Sequence, residues 1–421
     1  MVVWARIRKD FPVLSELYEG KNLIYFDSAC MSLKPVQVWE AMEYYYKHLG
    51  ACGGAGRSTH SLGLETSQLT EEARMKIASF INARSQNEII WTRNATEGLN
   101  IIAATLPIKK DENIVTTSLE HHSGMLPFVK KCQEVGCELR IVDAHPNGTF
   151  NPADFEEKID DKTKIVSFVH ASNLTGTVAP LEDVVKISHE HGAWVVSDEA
   201  QFAPHNKLDV KKLDVDFCAL SIHKACGPTG IGALYGKYEL LEQLDMFLVG
   251  GDVIEDVIYE NGKIIPKYLP PPHKFEAGLQ NYGGMLGAGA AVDYLQKIGM
   301  ANIHNREQSF SKRLLEGILE LEKFEVLGPL DYKQRAALVS FRPKSDVMNH
   351  NDVTEYFNDM IPHHKILMRS GNMCVHPFQY QIGLNPGKGE GVTRASLYIY
   401  NTIDEVEIFL SELEKFSKAL D

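Results

Sequence analysis

Lys224 stands in the run Leu220-Ser221-Ile222-His223-Lys224, just ahead of a glycine-rich turn, Gly227-Pro228-Thr229-Gly230-Ile231-Gly232. Upstream, Asp198 closes the apolar run Trp194-Val195-Val196-Ser197-Asp198. A lysine amine forms a Schiff base with an aldehyde, and a carboxylate at a strand end keeps a pyridine nitrogen protonated, so that the ring can act as an electron sink. Ser221 and His223 add hydrogen-bond donors for a phosphate. Together these are the groups expected of a pyridoxal 5'-phosphate enzyme. The commoner fate of a lysine before a turn, plain solvent exposure, leaves Asp198 and the nearby Gln201 without a reason.

Further segments supply the remaining sides of such a site. Thr92-Arg93-Asn94-Ala95-Thr96-Glu97-Gly98 follows a strand candidate and opens a helix, so the N–H groups around Ala95 and the Thr96 hydroxyl make a phosphate cradle. Taken alone, it is also an ordinary helix start. Gln201 and Asn173 can reach the cofactor's phenolic oxygen. In Glu120-His121-His122-Ser123-Gly124, the His121 ring could lie flat on the pyridine and move protons; a solvated loop pair is the plainer alternative. Arg394 can clamp a substrate carboxylate bidentately, against the plainer reading of a surface ion pair. Cys374 lies in Arg369-Ser370-Gly371-Asn372-Met373-Cys374, a loop where a thiol is accessible and therefore reactive. Any cysteine is by default a small core residue, which suits Cys30 and Cys218. Cys226, two residues past Lys224, stays open as a nearby thiol.

These groups must be positioned by an α/β scaffold. Strand candidates at Asn22–Asp27, Glu88–Thr92, Asn113–Thr117, Glu138–Val142, Lys164–His170, Trp194–Asp198, Phe217–Ser221 and Gly232–Tyr235 alternate with amphipathic helical stretches. That alternation predicts a mostly parallel sheet covered on both faces, with ligands at the strands' carboxyl ends. A large domain over 22–285 is expected, carrying a projecting hairpin at 253–274 marked by Asn261-Gly262. Residues 1–21 and 286–421 are expected to form a smaller α+β domain, with Thr402–Leu420 as a closing helix.

The 421 residues are 44% hydrophobic and 24% charged, the composition of an ordinary globular chain. A net charge of −13 argues against nucleic-acid binding. No apolar stretch is long enough to span a bilayer and no signal core precedes the first elements, so the expected compartment is the cytoplasm. Seven scattered cysteines point to free thiols. The spacing of Cys132 and Cys137, and the adjacent pairs His121-His122 and His363-His364, indicate no metal site.

Taken together, these residues resemble the cysteine desulfurases of the class V aminotransferase superfamily, in particular the Suf-type (group II) branch. The resemblance runs from Asp10-Phe11-Pro12-Val13-Leu14 and Tyr25-Phe26-Asp27-Ser28-Ala29 to Arg394-Ala395-Ser396 and Tyr400-Asn401-Thr402. Its most specific stretches are Asp198–Gln201, Ser221–Gly232 and Phe275-Glu276-Ala277-Gly278. It implies a fold-type I pyridoxal phosphate homodimer that takes L-cysteine to L-alanine and passes sulfur to an acceptor or scaffold protein for iron–sulfur cluster assembly. By position, Lys224 matches the Schiff-base lysine, Asp198 the pyridinium partner and His121 the stacking histidine. Asn173, Gln201, Ala95, Thr96, Ser221 and His223 fall at cofactor contacts. Cys374 falls at the persulfide-forming cysteine, and Arg394, with Ala29 and Asn173, on the substrate side.

This chain also departs from the family pattern. Asn372-Met373 stand where two histidines precede the cysteine, and Leu279 replaces a threonine that binds the partner subunit's phosphate. Ala95 and Glu199 replace a common threonine and glycine, and a glycine-rich insertion over 385–391, expected to be mobile, follows Cys374. The alternatives are a selenocysteine lyase or another β-eliminating lyase, an ordinary aminotransferase, and a degenerate relative acting as a scaffold.

Overall fold

A computed structural model describes residues 2–54, 58–345 and 347–418. Its centre is a seven-stranded sheet built from β1 (Ile89–Thr92), β2 (Asn113–Thr117), β3 (Glu138–Val142), β4 (Thr163–Val169), β5 (Trp194–Asp198), β6 (Phe217–Ser221) and β7 (Gly232–Gly236). The spatial order is β1-β7-β6-β5-β4-β2-β3. From β6 to β3 neighbours run parallel, and β7 runs antiparallel to both β6 and β1. The central strands are buried along their whole length, which is why they read as short continuous apolar runs rather than alternating ones.

Helices α1 (Ser61–Phe80), α2 (Ala95–Thr105), α3 (His122–Val135), α4 (Leu181–Glu190) and α5 (Tyr282–Ile298) belong to this part of the chain. Two separate apolar clusters flank the sheet. One gathers α1, α4 and α5 residues such as Ile77, Val184 and Val292. The other gathers Leu99 and Ile102 of α2 with Phe128 of α3 and Phe217 of β6. The register puts Gly232 opposite both Thr92 and Ser221, so β7 brings the ends of β1 and β6 to its two sides. A Cβ on Gly232 would lie 2.6 Å from Asn94 Cα and from the Leu220 carbonyl oxygen, so the close approach requires glycine.

The expected hairpin forms as β8 (Ile254–Glu260) and β9 (Lys263–Tyr268), turned by Asn261 and Gly262 at φ 53° and 75°. Both of its faces are largely exposed, with Tyr259 at 77% and Ile264 at 71%. A second antiparallel sheet carries β10 (Phe324–Leu327), β11 (Leu338–Pro343), β12 (Arg369–Gly371) and β13 (Val392–Ser396) in the order β10-β11-β13-β12. It packs with α6 (Met300–Glu320) and α7 (Ile403–Ser417). The expected closing helix forms over Ile403–Ser417; the Leu420 expected at its end lies outside the described residues.

The expected strand at Asn22–Asp27 forms over Lys21–Tyr25, but outside the large sheet. It pairs in parallel with His364–Leu367, and Ile24 and Phe26 join the cluster of Phe310, Val339 and Phe409. This strand therefore shares a small sheet with a late segment of the chain, through contact across more than 300 residues that is invisible to local pattern. Among the described residues no helix is long and apolar enough to cross a membrane.

Candidate active site

The carboxyl ends of β1, β4, β5 and β6 open onto one cavity of about 340 Å³, which the β12–Cys374 segment closes from the second sheet. Lys224, Asp198, Gln201, Ser221 and His223 line it from β5 and β6. Ala95, Thr96, His121 and Asn173 face it from the loops and helix starts beyond β1, β2 and β4. Ala29, Arg394 and Cys374 complete the wall from the other side.

The phosphate side is built by the start of α2. Asn94 caps the helix by accepting from Glu97 N, and Ala95 N donates to Ser221 Oγ at 3.0 Å. Thr96 Oγ1 lies 2.7 Å from Ser123 Oγ. The N–H groups of this helix start, together with three hydroxyls, suit an anion. The His223 ring, pushed down to about 4 by burial and by the Lys224 and Lys34 charges, is neutral at pH 7 and can still donate one N–H.

On the ring side, Asp198 Oδ1 accepts from Ala200 N at 2.9 Å, and burial raises its carboxyl above the usual range, against the pull of Lys224. Lys224 borders the cavity and so keeps some exposed surface, yet protein crowds it closely. Burial lowers its pKa, with Arg394 adding to this and Asp198 opposing it. His121 is the N-cap of α3 and accepts from Ser123 N at 3.1 Å through Nδ1. Burial and the Lys224 charge hold it at about 4, hence neutral. Gln201 Nε2 donates to Ala29 O at 2.6 Å, while its Oε1 is buried with no partner. A buried orphan acceptor beside a lysine, a carboxyl and an anion cradle fits a polar aromatic phosphate cofactor, and these are the residues that could hold it.

On the substrate side, Arg394 is only 2% exposed. Its Nη1 donates to Asn173 O at 3.0 Å and its Nη2 to Asp27 Oδ1 at 3.1 Å, leaving Nε buried without a partner. Asp27 also receives Arg369, with Nη2 at 2.8 Å from Oδ2. Neither Asp27 nor Arg369 had been given a role from sequence; the only local signal was Asp27 next to Ser28-Ala29.

Met373 and Cys374 both adopt left-handed backbone, at φ 49° and 58°, and Cys374 is exposed. Asn173 Nδ2 donates to Met373 O at 2.7 Å, and His122 N donates to Cys374 O at 2.9 Å. The rings of His122 and His376 meet edge to face, centroids 4.5 Å apart, beside this loop. The insertion over 385–391, expected to move freely, is closed on itself: Asn385 N donates to Glu390 Oε2, Glu390 N donates back to Asn385 O, and the Gly389 carbonyl bonds His350 Nε2.

The other thiols divide. Cys218 and Cys226 are fully buried, and burial pushes the Cys226 thiol up to about 12, so it stays protonated. Cys30, read from sequence as a core residue, instead lines the cavity.

The family model described as Aminotransferase class-V matches residues 24–409. A probable cysteine desulfurase of Streptomyces coelicolor is 40% identical over 416 residues, covering 97% of this chain and 96% of the relative. The apo cysteine desulfurase of Thermococcus onnurineus superposes with a TM-score of 0.91 at 37% identity, covering 100% of this chain and 99% of that one. The Escherichia coli cysteine desulfurase CsdA, in its S-sulfonic acid form, gives 0.85 at 28% identity, with both chains covered in full. The chain belongs to the class-V aminotransferase family.

Proposed function

We propose that this protein is a pyridoxal 5'-phosphate-dependent cysteine desulfurase, converting L-cysteine to L-alanine and loading the sulfur on Cys374. One observation carries the reading: an exposed thiol on a left-handed loop borders the same cavity as Lys224 and Asp198. When bound, the cofactor supplies an electron-withdrawing ring for charge released at the substrate's α-carbon.

The chain's own groups do the rest. The N-terminus of α2, with Thr96, Ser221 and His223, holds the phosphate. Asp198 would keep a proton on the pyridine nitrogen, the neutral His121 imidazole would support the ring, and Gln201 and Asn173 would hold its polar edge. Lys224, whose amine is more easily neutral than that of a free lysine, would hold the cofactor, and its Nζ is the group that would take the substrate's α-proton. Arg394, steadied by Asp27, receives the substrate carboxylate next to Ala29. Cys374 Sγ, as the thiolate, attacks the substrate sulfur; the new S–S bond forms as the substrate's Cβ–S bond breaks, and that bond's electron pair stays with the fragment that leaves as alanine.

A homodimer of the Suf type is part of the proposal. It is supported by the exposed apolar hairpin β8–β9 and by Leu279, 72% exposed, since an isolated two-stranded ribbon needs a surface to cover it. A cytoplasmic role in supplying sulfur to an iron–sulfur cluster scaffold extends the same reading.

The test is alanine formation from L-cysteine by cofactor-loaded protein, with mass spectrometry of Cys374 in the same sample. An added sulfur on Cys374, and loss of desulfuration in Cys374→Ser with the cofactor absorbance retained, are expected. Selenocysteine cleavage that survives Cys374→Ser, with negligible cysteine turnover, would replace the desulfurase by a β-eliminating lyase.

A further inference from the structure

The cavity holds a second thiol. Cys30 lines it together with Cys374, and its short segment is held by β13, by Gln201 and by the Lys224 loop. Cys30 N donates to Asp27 O at 3.1 Å, and Asp27 is the carboxylate shared by Arg369 and Arg394. On the preceding residue, Ala29 N donates to Ser396 Oγ at 3.0 Å and Ala29 O receives Gln201 Nε2 at 2.6 Å. Two residues on, Ser32 N and Oγ both donate to His223 O, and Ser32 Oγ accepts from Cys226 N at 2.8 Å. Cys30 therefore cannot drift from the cavity without breaking contacts to the Lys224 loop, to Gln201 and to β13.

Its surroundings are cationic. Lys224, Arg369 and Arg394 line the same cavity as this thiol. Arg394, almost wholly buried, still has an unpartnered Nε at this wall, and the buried Gln201 has an unpartnered Oε1. The polar equipment beside Cys30 is thus incompletely used by the protein itself. The Cys374 segment is tied to the same cluster, since Asn173 joins Met373 O to Arg394. Two thiols of unequal exposure, one open and one half-buried, face one space.

We propose that Cys30 is a relay thiol that takes the sulfane sulfur from Cys374, an inference that rests on the desulfurase reading and extends it. The Cys30 thiolate attacks the terminal sulfur of the Cys374 persulfide. A bond forms between Cys30 Sγ and that sulfur, and the bond between the sulfur and Cys374 Sγ breaks. Cys374 leaves as a thiolate and recovers the proton that Cys30 gave up. The exchange is redox-neutral and needs no co-reactant. Its effect is to clear Cys374 for another turnover while the sulfur is held deeper in the protein.

The test is peptide mass spectrometry of cofactor-loaded protein after brief L-cysteine treatment and alkylation under non-reducing conditions. Wild type should carry an added sulfur on both the Cys30 and Cys374 peptides. Cys374→Ser should lose both, and Cys30→Ser should keep sulfur on Cys374 and hold it longer. A separate arm is independent of turnover: diamide, without cysteine, should link the Cys30 and Cys374 peptides in wild type and not in Cys30→Ser. Sulfur on Cys374 with none on Cys30 overturns the relay and leaves the desulfurase reading standing. Absence of sulfur on both, with no alanine formed, fells the desulfurase reading and the relay with it. Failure of diamide to link the two thiols in folded protein also overturns the relay, because it denies their approach.

Discussion

Asp27→Asn keeps the shape of its side chain and deletes the charge, and Arg394 is the group that should feel the loss. The two side chains are 13% and 2% exposed and meet at 3.1 Å. Burial already lowers the Arg394 pKa, with Asp27 as its leading counterweight. Leaving a buried cation without its carboxylate costs about 3–5 kcal/mol. The other arm of the bridge differs: Arg369 is 45% exposed and can turn to water, so Arg369→Ala should cost no more than about 1 kcal/mol. Urea unfolding of cofactor-loaded protein, followed by cofactor absorbance at one protein concentration, compares the two variants on the transition that includes the cavity. Asp27→Asn should unfold at clearly lower urea than Arg369→Ala. It should also gain more from added L-cysteine, because a substrate carboxylate restores the missing charge next to Arg394. Equal midpoints for the two variants would refute the argument that burial, rather than the number of hydrogen bonds, sets the weight of each arm.

Glu276, held at about 2 chiefly by Arg74 against its own burial, bonds Arg74 at 2.6 and 2.9 Å and Trp91 N at 2.7 Å. Its stabilisation is present above pH 4.5 and is lost as pH falls from there towards 2; Glu276→Gln should cost about 3–5 kcal/mol at pH 7 and flatten that acid limb in urea titrations. His223 works in the same direction by another route. The unfolded ring takes a proton near 6.5 and the folded apo ring only near 4, so stability falls as pH drops through that window, by no more than ~2 kcal/mol at pH 5. His223→Gln should remove its share of this slope and leave that of His121, and NMR titration of His223 should show its pKa rising when inorganic phosphate is added.

The catalytic wall was legible in the sequence wherever a strand ends in chemistry. Asp198 and Ser221 terminate buried strands whose apolar runs are unmistakable, and a parallel sheet leaves such ends only one side on which to meet. What stayed hidden depends on distant pairing. Asp27 acquires its meaning from arginines at 369 and 394, and the strand Lys21–Tyr25 from residues 364–367. Cys30 looked like core because its neighbours are small, and small neighbours are also what lets a cavity reach a thiol. Asn372-Met373 stand where the family pattern has two histidines, while His122 and His376 come to that loop from either side of it in the chain.

The consecutive left-handed residues Met373 and Cys374 have a mechanical consequence. Such backbone costs roughly 1–2 kcal/mol per residue for side chains other than glycine. Here it is pinned by Asn173 on Met373 O, by His122 on Cys374 O, and by Gln379 and Val375 on Asn372 O. A hinge held at so many points does not swing. The reach of the sulfur is then the arc swept by one side-chain torsion, a few ångströms wide. Whatever Cys374 serves, inside the cavity or at its mouth, must come within that arc, so delivery is set by where the recipient stands and not by travel of the loop.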